Sequence, residues 1–223
     1  GDVASAITIR TFEELGARDD LEPADVVEAV AEANRAILSE AASHPERSGM
    51  GTTLSGVAVV EQAGSPHWLV FNIGDSRVYR IDGGVLSQLT VDHSEVAELV
   101  AAGLIDQGEA RAHPMRNVVT RSLGTAEMPD VETWLVPATP GDLFLICSDG
   151  LTSELEDPQI ADVVRSSPDI SSAASALIDA ALASGARDNV TVVLVSATGE
   201  SAEGPADTSA YSTRPRKDCG GHS

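Results

Sequence analysis

The sequence predicts an α+β fold on three observations. Two amphipathic helical stretches open the chain, a row of short strand-like stretches follows, and an unbroken apolar run near residue 145 leads into further helices and a Val-rich strand. Strictly alternating βαβ units are absent, which disfavours a doubly wound nucleotide-binding sheet. A chain of 223 residues with 42% hydrophobic residues can bury a sizeable core, so disorder throughout is excluded. With only 3% aromatic residues, that core must be built from Ala, Val, Leu and Ile.

In residues 3–15, Val3, Ile7, Ile9, Phe12 and Leu15 recur at mostly helical spacing. Pro23 and Asp25 open a second helix over 25–42, with Val26, Val30, Ala33, Ile37 and Ala41 on one face. The period then changes to strands at 52–60, 68–73, 77–81 and 85–88, separated by turns at Gly74-Asp75 and Asp82-Gly83-Gly84 and expected to form an antiparallel meander. A polar segment, 93–123, carries one short helix around Val96, Leu99 and Val100 and another at 109–112, ended by Pro114. Strands resume at 132–136 and 142–148, the second of the apolar kind buried on both faces. Helices are expected at 158–165 and 171–183, closed by Gly185, with a last strand at 190–196. From Thr198 onward, large apolar residues are too few to fold, which gives a domain over 1–197 and a disordered tail over 198–223.

Fourteen Lys+Arg against 35 Asp+Glu give a formal net charge of −21, which argues against nucleic-acid and anionic-membrane partners. No apolar run approaches the roughly 20 residues of a membrane-spanning helix, and no basic-then-apolar leader opens the chain. Cys147 and Cys219 form neither a disulfide framework nor a metal-ligand spacing, so the expected compartment is reducing and cytoplasmic. Walker loops, GxSxG elbows, HExxH and CxxC are all absent.

Three aspartates each stand one polar step beyond a strand edge: Asp75 in Gly74-Asp75-Ser76-Arg77, Asp149 in Ser148-Asp149-Gly150-Leu151, and Asp188 in Arg187-Asp188-Asn189. Taken singly, each reads as a turn residue. Taken together, oxygen-only groups of this kind suit Mg²⁺ or Mn²⁺ rather than zinc, and without a cation they would repel one another. The five histidines, His44, His67, His93, His113 and His222, show no metal spacing and are expected on surfaces or in loops. Glu13-Glu14 and the acids of 154–157 read as solvated helix faces.

In the order Gly49-Met50-Gly51-Thr52-Thr53, Gly74-Asp75-Ser76-Arg77, Asp92-His93-Ser94, Arg121-Ser122-Leu123-Gly124, Ser148-Asp149-Gly150-Leu151 and Asp188-Asn189-Val190-Thr191, residues 1–197 strongly resemble the PPM (PP2C-type) metal-dependent protein serine/threonine phosphatases. Within the family the chain looks most like the actinobacterial enzymes that oppose Ser/Thr kinases, and residues 93–124, with His113-Pro114-Met115-Arg116, match that branch's flap.

The resemblance implies a sandwich of two antiparallel sheets flanked by helices on both faces, and a binuclear Mn²⁺ or Mg²⁺ centre that aims a water at phosphoserine or phosphothreonine. By matching positions, Asp149 and Asp188 would be metal ligands, Asp75 would hold a weaker third ion, and His113 and Arg116 would touch substrate. No side chain is assigned as a general acid or base. The implied partners are phosphorylated proteins and an opposing kinase, with a monomeric chain.

Two departures stand out. The family's opening strands, with a phosphate-binding Arg, an acidic ligand and a metal-bridging Asp, have no match, so the chain is expected to lack the domain's amino-terminal portion. Ser153 stands where many relatives place an acid for the third ion. The alternative is a non-catalytic phosphatase-like module that binds phosphoproteins or a regulatory partner.

Overall fold

The computed structural model describes residues 1–18, 20–185 and 187–197, together with the backbone of Ser209–Arg214. In chain order its elements are α1 (Asp2–Gly16), α2 (Pro23–Ser43), β1 (Leu54–Gln62), β2 (Ser65–Ile73), β3 (Arg77–Asp82), β4 (Val85–Gln88), α3 (Glu95–Ala101), α4 (Gln107–Ala112), β5 (Glu132–Pro137), β6 (Leu143–Cys147), α5 (Asp149–Thr152), α6 (Asp157–Ser166), α7 (Ile170–Ser184), β7 (Val190–Ser196) and β8 (Ser209–Arg214). The strands form two antiparallel sheets, ordered β1-β2-β5 and β4-β3-β6-β7-β8, so the fold is α+β as the sequence predicts. The expected single meander breaks at Gly74-Asp75: β2 belongs to the first sheet and β3 to the second.

The chain divides into two compact units, each assembled from separate stretches: Gly1–Ser76 with Thr90–Ala138, and Arg77–Leu89 with Thr139–Ser223. In the first unit, α1 and α2 lay one apolar stripe each against the first sheet, with Val26, Val60, Leu69 and Phe71 in one cluster and Ala4, Ile7, Val30, Ala33, Ile37, Ile73 and Leu123 in another. Phe12 stacks on Phe71 at 5.6 Å between ring centroids. The start of α2 is fixed by Pro23 and by Asp25, whose Oδ2 accepts the Glu22 N–H at 2.8 Å. A short cap likewise starts α4, where Asp106 accepts from the Glu109 N–H and the Glu109 carboxylate accepts from the Asp106 N–H.

In the second unit, Tyr79, Leu145, Cys147, Val192 and Leu194 project from β3, β6 and β7 onto Ile160 of α6 and Ala173, Ala174, Leu177, Ile178 and Ala181 of α7. The small alanines let α7 lie close to the strands. Burial pushes the Tyr79 phenol well above its ordinary pKa, and its hydroxyl donates to Asp157 Oδ1 at 3.1 Å. The run read as buried on both faces alternates in part: Phe144, Leu145 and Cys147 are buried, whereas Leu143 and Ile146 are half-buried.

The stretch expected to be an unfolded tail carries β8, which continues the sheet antiparallel to β7, with Val190 opposite Arg214 and Val195 opposite Ser209. Ladder bonds come from the main chain, so such pairing needs no large apolar residues. Residues 198–208 and 215–223, including Cys219 and His222, lie outside the described residues.

Candidate functional site

The second unit brings Asp149 and Asp188 to the same end of one strand pair. β6 and β7 run antiparallel, with Cys147 opposite Val192 at the last rung. Just beyond it, the Ser148 N–H donates to the Thr191 carbonyl at 3.1 Å, and the Thr191 N–H donates to Ser148 Oγ at 3.0 Å. Ser148 Oγ in turn donates to the Asn189 carbonyl at 3.3 Å. Asp149 therefore opens α5 immediately past β6, while Asp188 lies in the loop two residues ahead of β7. Asp149 is half-buried and Asp188 exposed, with one Asp188 oxygen accepting the Asn189 N–H at 2.8 Å.

Gly150 has a reason other than the sharp turn a sequence reader expects. It is not among the glycines with positive φ. Instead, a Cβ built on it would stand 2.1 Å from the Asn189 carbonyl oxygen. Only glycine lets the loop that carries Asp188 approach the α5 backbone this closely.

The upstream side of the loop is also tied. Arg187 donates from its main-chain N–H and from Nε to Glu154 Oε1, at 3.1 and 2.9 Å, and from Nη2 to the Ser153 carbonyl at 3.2 Å. Glu154 is thus no solvated acid: its side chain is 3% exposed. Burial raises the pKa of this carboxyl, but the hydrogen bonds and charge of Arg187 outweigh burial and hold it below the ordinary carboxylate range. The reading of 154–157 as a solvated face fails at Glu154, because Arg187, thirty-three residues on, supplies the partner, whereas Glu156 is exposed as expected.

Asp75, His113 and Arg116 belong to the first unit. Asp75 follows Gly74, whose φ of +118° and 2.3 Å approach of a built Cβ to Thr53 Cγ2 both require glycine. The turn is pinned from several sides. Asn72 Nδ2 donates to the Gly74 carbonyl at 3.2 Å and to the Val91 carbonyl at 3.0 Å. Ser55 Oγ donates to the Ser76 carbonyl at 3.0 Å.

His93 completes the cradle from a loop, one of the two settings expected of the histidines, but it is buried there, 3% exposed. Its main-chain N–H donates to the Gly74 carbonyl at 2.9 Å, and its Nδ1 accepts the Gly74 N–H at 3.1 Å. The proton therefore sits on Nε2, which faces Glu132 Oε1 at 3.3 Å. Arg121 Nη1 reaches the same Glu132 oxygen at 3.2 Å and Asp130 at 2.8 Å. The Asp92-His93-Ser94 text gave the one available sign, a polar triplet ahead of a helix that Ser94 caps.

His113 ends α4 half-buried, with its Nδ1 accepting the Met115 N–H at 3.3 Å, and Arg116 is exposed in the turn that follows. In the same unit, two stretches distant in sequence pair: Thr52 and Leu123 exchange main-chain hydrogen bonds at 2.9 and 3.2 Å.

The donor chemistry beyond the β6–β7 end, two aspartates with the Cys147 thiol buried in the core cluster, fits a hard divalent cation. In number it is partial: among the described residues, no group of three or more His, Cys, Asp or Glu side chains stands together as a metal site.

The family model described as Protein phosphatase 2C matches residues 2–184. The chain belongs to this family. It is 36% identical over 201 residues to the serine/threonine phosphatase stp of Listeria monocytogenes, an alignment covering 87% of this chain and 78% of the relative. Among solved structures, the serine/threonine phosphatase PstP of Mycobacterium tuberculosis, from the actinobacterial branch, superposes with a TM-score of 0.79 at 35% identity, over 89% of this chain and 83% of that one. The catalytic domain of PstP has also been solved in complex with two manganese ions, and matches with a TM-score of 0.74 at 34% identity, over 87% of this chain and 80% of that one. The protein phosphatase 2C membership makes this chain a serine/threonine phosphatase by family, and the manganese-bound relative supports divalent-metal dependence.

Proposed function

We propose that the chain hydrolyses phosphoserine and phosphothreonine on proteins modified by a bacterial Ser/Thr kinase, with Asp149 and Asp188 as carboxylate ligands of a binuclear Mn²⁺ or Mg²⁺ centre. The observation that carries this reading is the placement of both aspartates at one end of the β6–β7 pair in a chain of this family. When bound, such cations supply a water of lowered pKa as nucleophile and a Lewis acid for the phosphoryl oxygens.

The chain's own residues contribute position. Asp149 is presented by the first turn of α5, Asp188 by a loop tied on both flanks, and Gly150 allows the two backbones to meet. Asp75, in its pinned turn, is the proposed ligand of a weaker third ion. His113 and Arg116 are the proposed contacts to substrate from the 93–124 flap, with Arg116 suited to phosphate by its guanidinium fork. A soluble, cytoplasmic monomer is the proposed setting; no helix among the described residues is long and apolar enough to cross a membrane.

The test is phosphate release from a phosphothreonine peptide, with and without Mn²⁺. Turnover should require the metal, stop with a chelator, and fall to near background in Asp149→Asn and Asp188→Asn. Turnover that survives chelation or either substitution would overturn the assignment. A binding-only module has one observation in its favour, the absence of a third acid beside the pair among the described residues. Phosphopeptide binding without metal-dependent turnover would decide for it.

A further inference from the structure

The loop that carries Asp188 is held at two points of different kind. Downstream, Ser148 joins it to the strand end through main-chain groups of Asn189 and Thr191. Upstream, the loop is held by the Glu154 side chain together with the Ser153 carbonyl. Glu154 Oε1 accepts two hydrogen bonds from Arg187, one from its main chain and one from its guanidinium, and Arg187 Nη2 reaches back to Ser153. Glu154 Oε2 borders Gly185, where a Cβ would lie 3.4 Å away. One carboxylate therefore spans the loop from its start at Gly185 to the residue before Asp188.

The exposures are unequal. The Glu154 side chain is 3% exposed and the Arg187 side chain 68%. A surface ion pair would leave both ends mobile and contribute little. Here the acid is rigidly seated, and the flexible partner is bound through its backbone as well, which fixes the main chain one residue from Asp188. Glu154 is also five residues after Asp149 on the same continuous stretch, joined by the hydrogen bonds from the Ser153 N–H to the Asp149 carbonyl and from the Glu154 N–H to the Leu151 carbonyl. The grip on Arg187 thus originates from the segment that presents Asp149.

We propose that Glu154 is a positioning residue which, through Arg187, holds Asp188 in register with Asp149 and so sets the affinity of that pair for a divalent cation. This rests on the reading of Asp149 and Asp188 as ligands. It also accounts for the acid next to Ser153: Glu154 serves the loop through its hydrogen bonds to Arg187 rather than replacing an acid at 153.

The experiment is Mn²⁺ titration of the purified chain, by calorimetry or by the loss of the free-ion electron paramagnetic resonance signal, alongside thermal unfolding without metal. Glu154→Gln and Arg187→Gln should each raise the Mn²⁺ Kd by about 10–100-fold, the range for residues that orient a ligand, and Arg187→Lys should fall between them and the parent. Arg187 is exposed, so Arg187→Gln decides the matter if Glu154→Gln does not fold. Unchanged Kd in folded Arg187→Gln, with binding abolished by Asp149→Asn and Asp188→Asn, would overturn the clamp and leave the ligands standing. Binding that persists in both aspartate variants, or no binding by the parent chain, would overturn the ligand reading and this inference with it.

Discussion

Gly150→Ala adds one methyl group at the tightest backbone approach of the candidate site. The new Cβ would lie 2.1 Å from the Asn189 carbonyl oxygen, 2.9 Å from its carbon and 3.3 Å from the Val190 Cα, all of them main-chain atoms that cannot rotate away. Carbon and oxygen need more than 3 Å, so the α5 backbone and the loop must part by roughly 1 Å. That separation strains the bonds tying Ser148 to Asn189 and Thr191, and forcing extra volume into a packed site costs about 1–3 kcal/mol. For a chain of this size, a loss of about 2 kcal/mol lowers Tm by about 4–8 °C. It also moves Asp188 relative to Asp149, and a shift of about 1 Å at a reacting centre can cost about 100-fold in turnover. Thermal unfolding monitored by circular dichroism and phosphopeptide turnover in Mn²⁺ measure the two effects. A variant with parental Tm and parental kcat/KM would refute the argument that close approach, rather than turn conformation, dictates this glycine.

Three further outcomes follow from single buried groups. Asp142, with a side chain 2% exposed, accepts from Arg80 at 2.7 Å and from the Thr139 N–H and hydroxyl at 2.8 and 2.9 Å. Burial raises its pKa, but these bonds prevail and leave it below the ordinary 3.8, so the carboxylate stabilises the fold above that value and the gain disappears as pH falls through the depressed pKa. Asp142→Asn should cost about 1–3 kcal/mol in urea unfolding at pH 7 and progressively less below about pH 4; a pH-independent difference would contradict this. Asn34, fully buried, accepts the Gly124 N–H at 2.7 Å and donates to the Ala126 and Glu127 carbonyls at 2.9 and 3.2 Å, so Asn34→Leu should lose about 2–4 kcal/mol, checked by the same denaturation. His93→Phe keeps an aromatic ring but strands the Gly74 N–H, which should lower stability by about 1–3 kcal/mol; a Tm equal to the parent's would show that Nδ1 is dispensable.

The sequence was most legible where periodicity was long or a boundary was chemically marked. β4 and β7 were bounded correctly, and the helices at 23–43 and 170–184 were read to within two residues, because Pro23 and Gly185 mark one end of each. The break between β2 and β3 was invisible, since alternation describes each strand but says nothing of which sheet it joins. Asp149 and Asp188 stood out because each adjoins an apolar strand. Glu154 and His93 did not, because their partners, Arg187 and the Gly74 amide, lie far along the chain and burial of a polar side chain has no local signature. β8 was missed for a related reason, as its pairing depends on β7 rather than on its own composition.

The interleaving of the two units constrains how the protein can be made. The β3–β4 hairpin, part of the second unit, leaves the ribosome before Thr90–Ala138 of the first, yet its partner strand β6 is synthesised only after that whole stretch. The second unit cannot mature during translation until Thr139 onward has emerged, whereas every residue of the first is synthesised by Ala138. Closing so long an excursion favours late, concerted and slow assembly, during which the nascent hairpin exposes an unpaired edge to other chains.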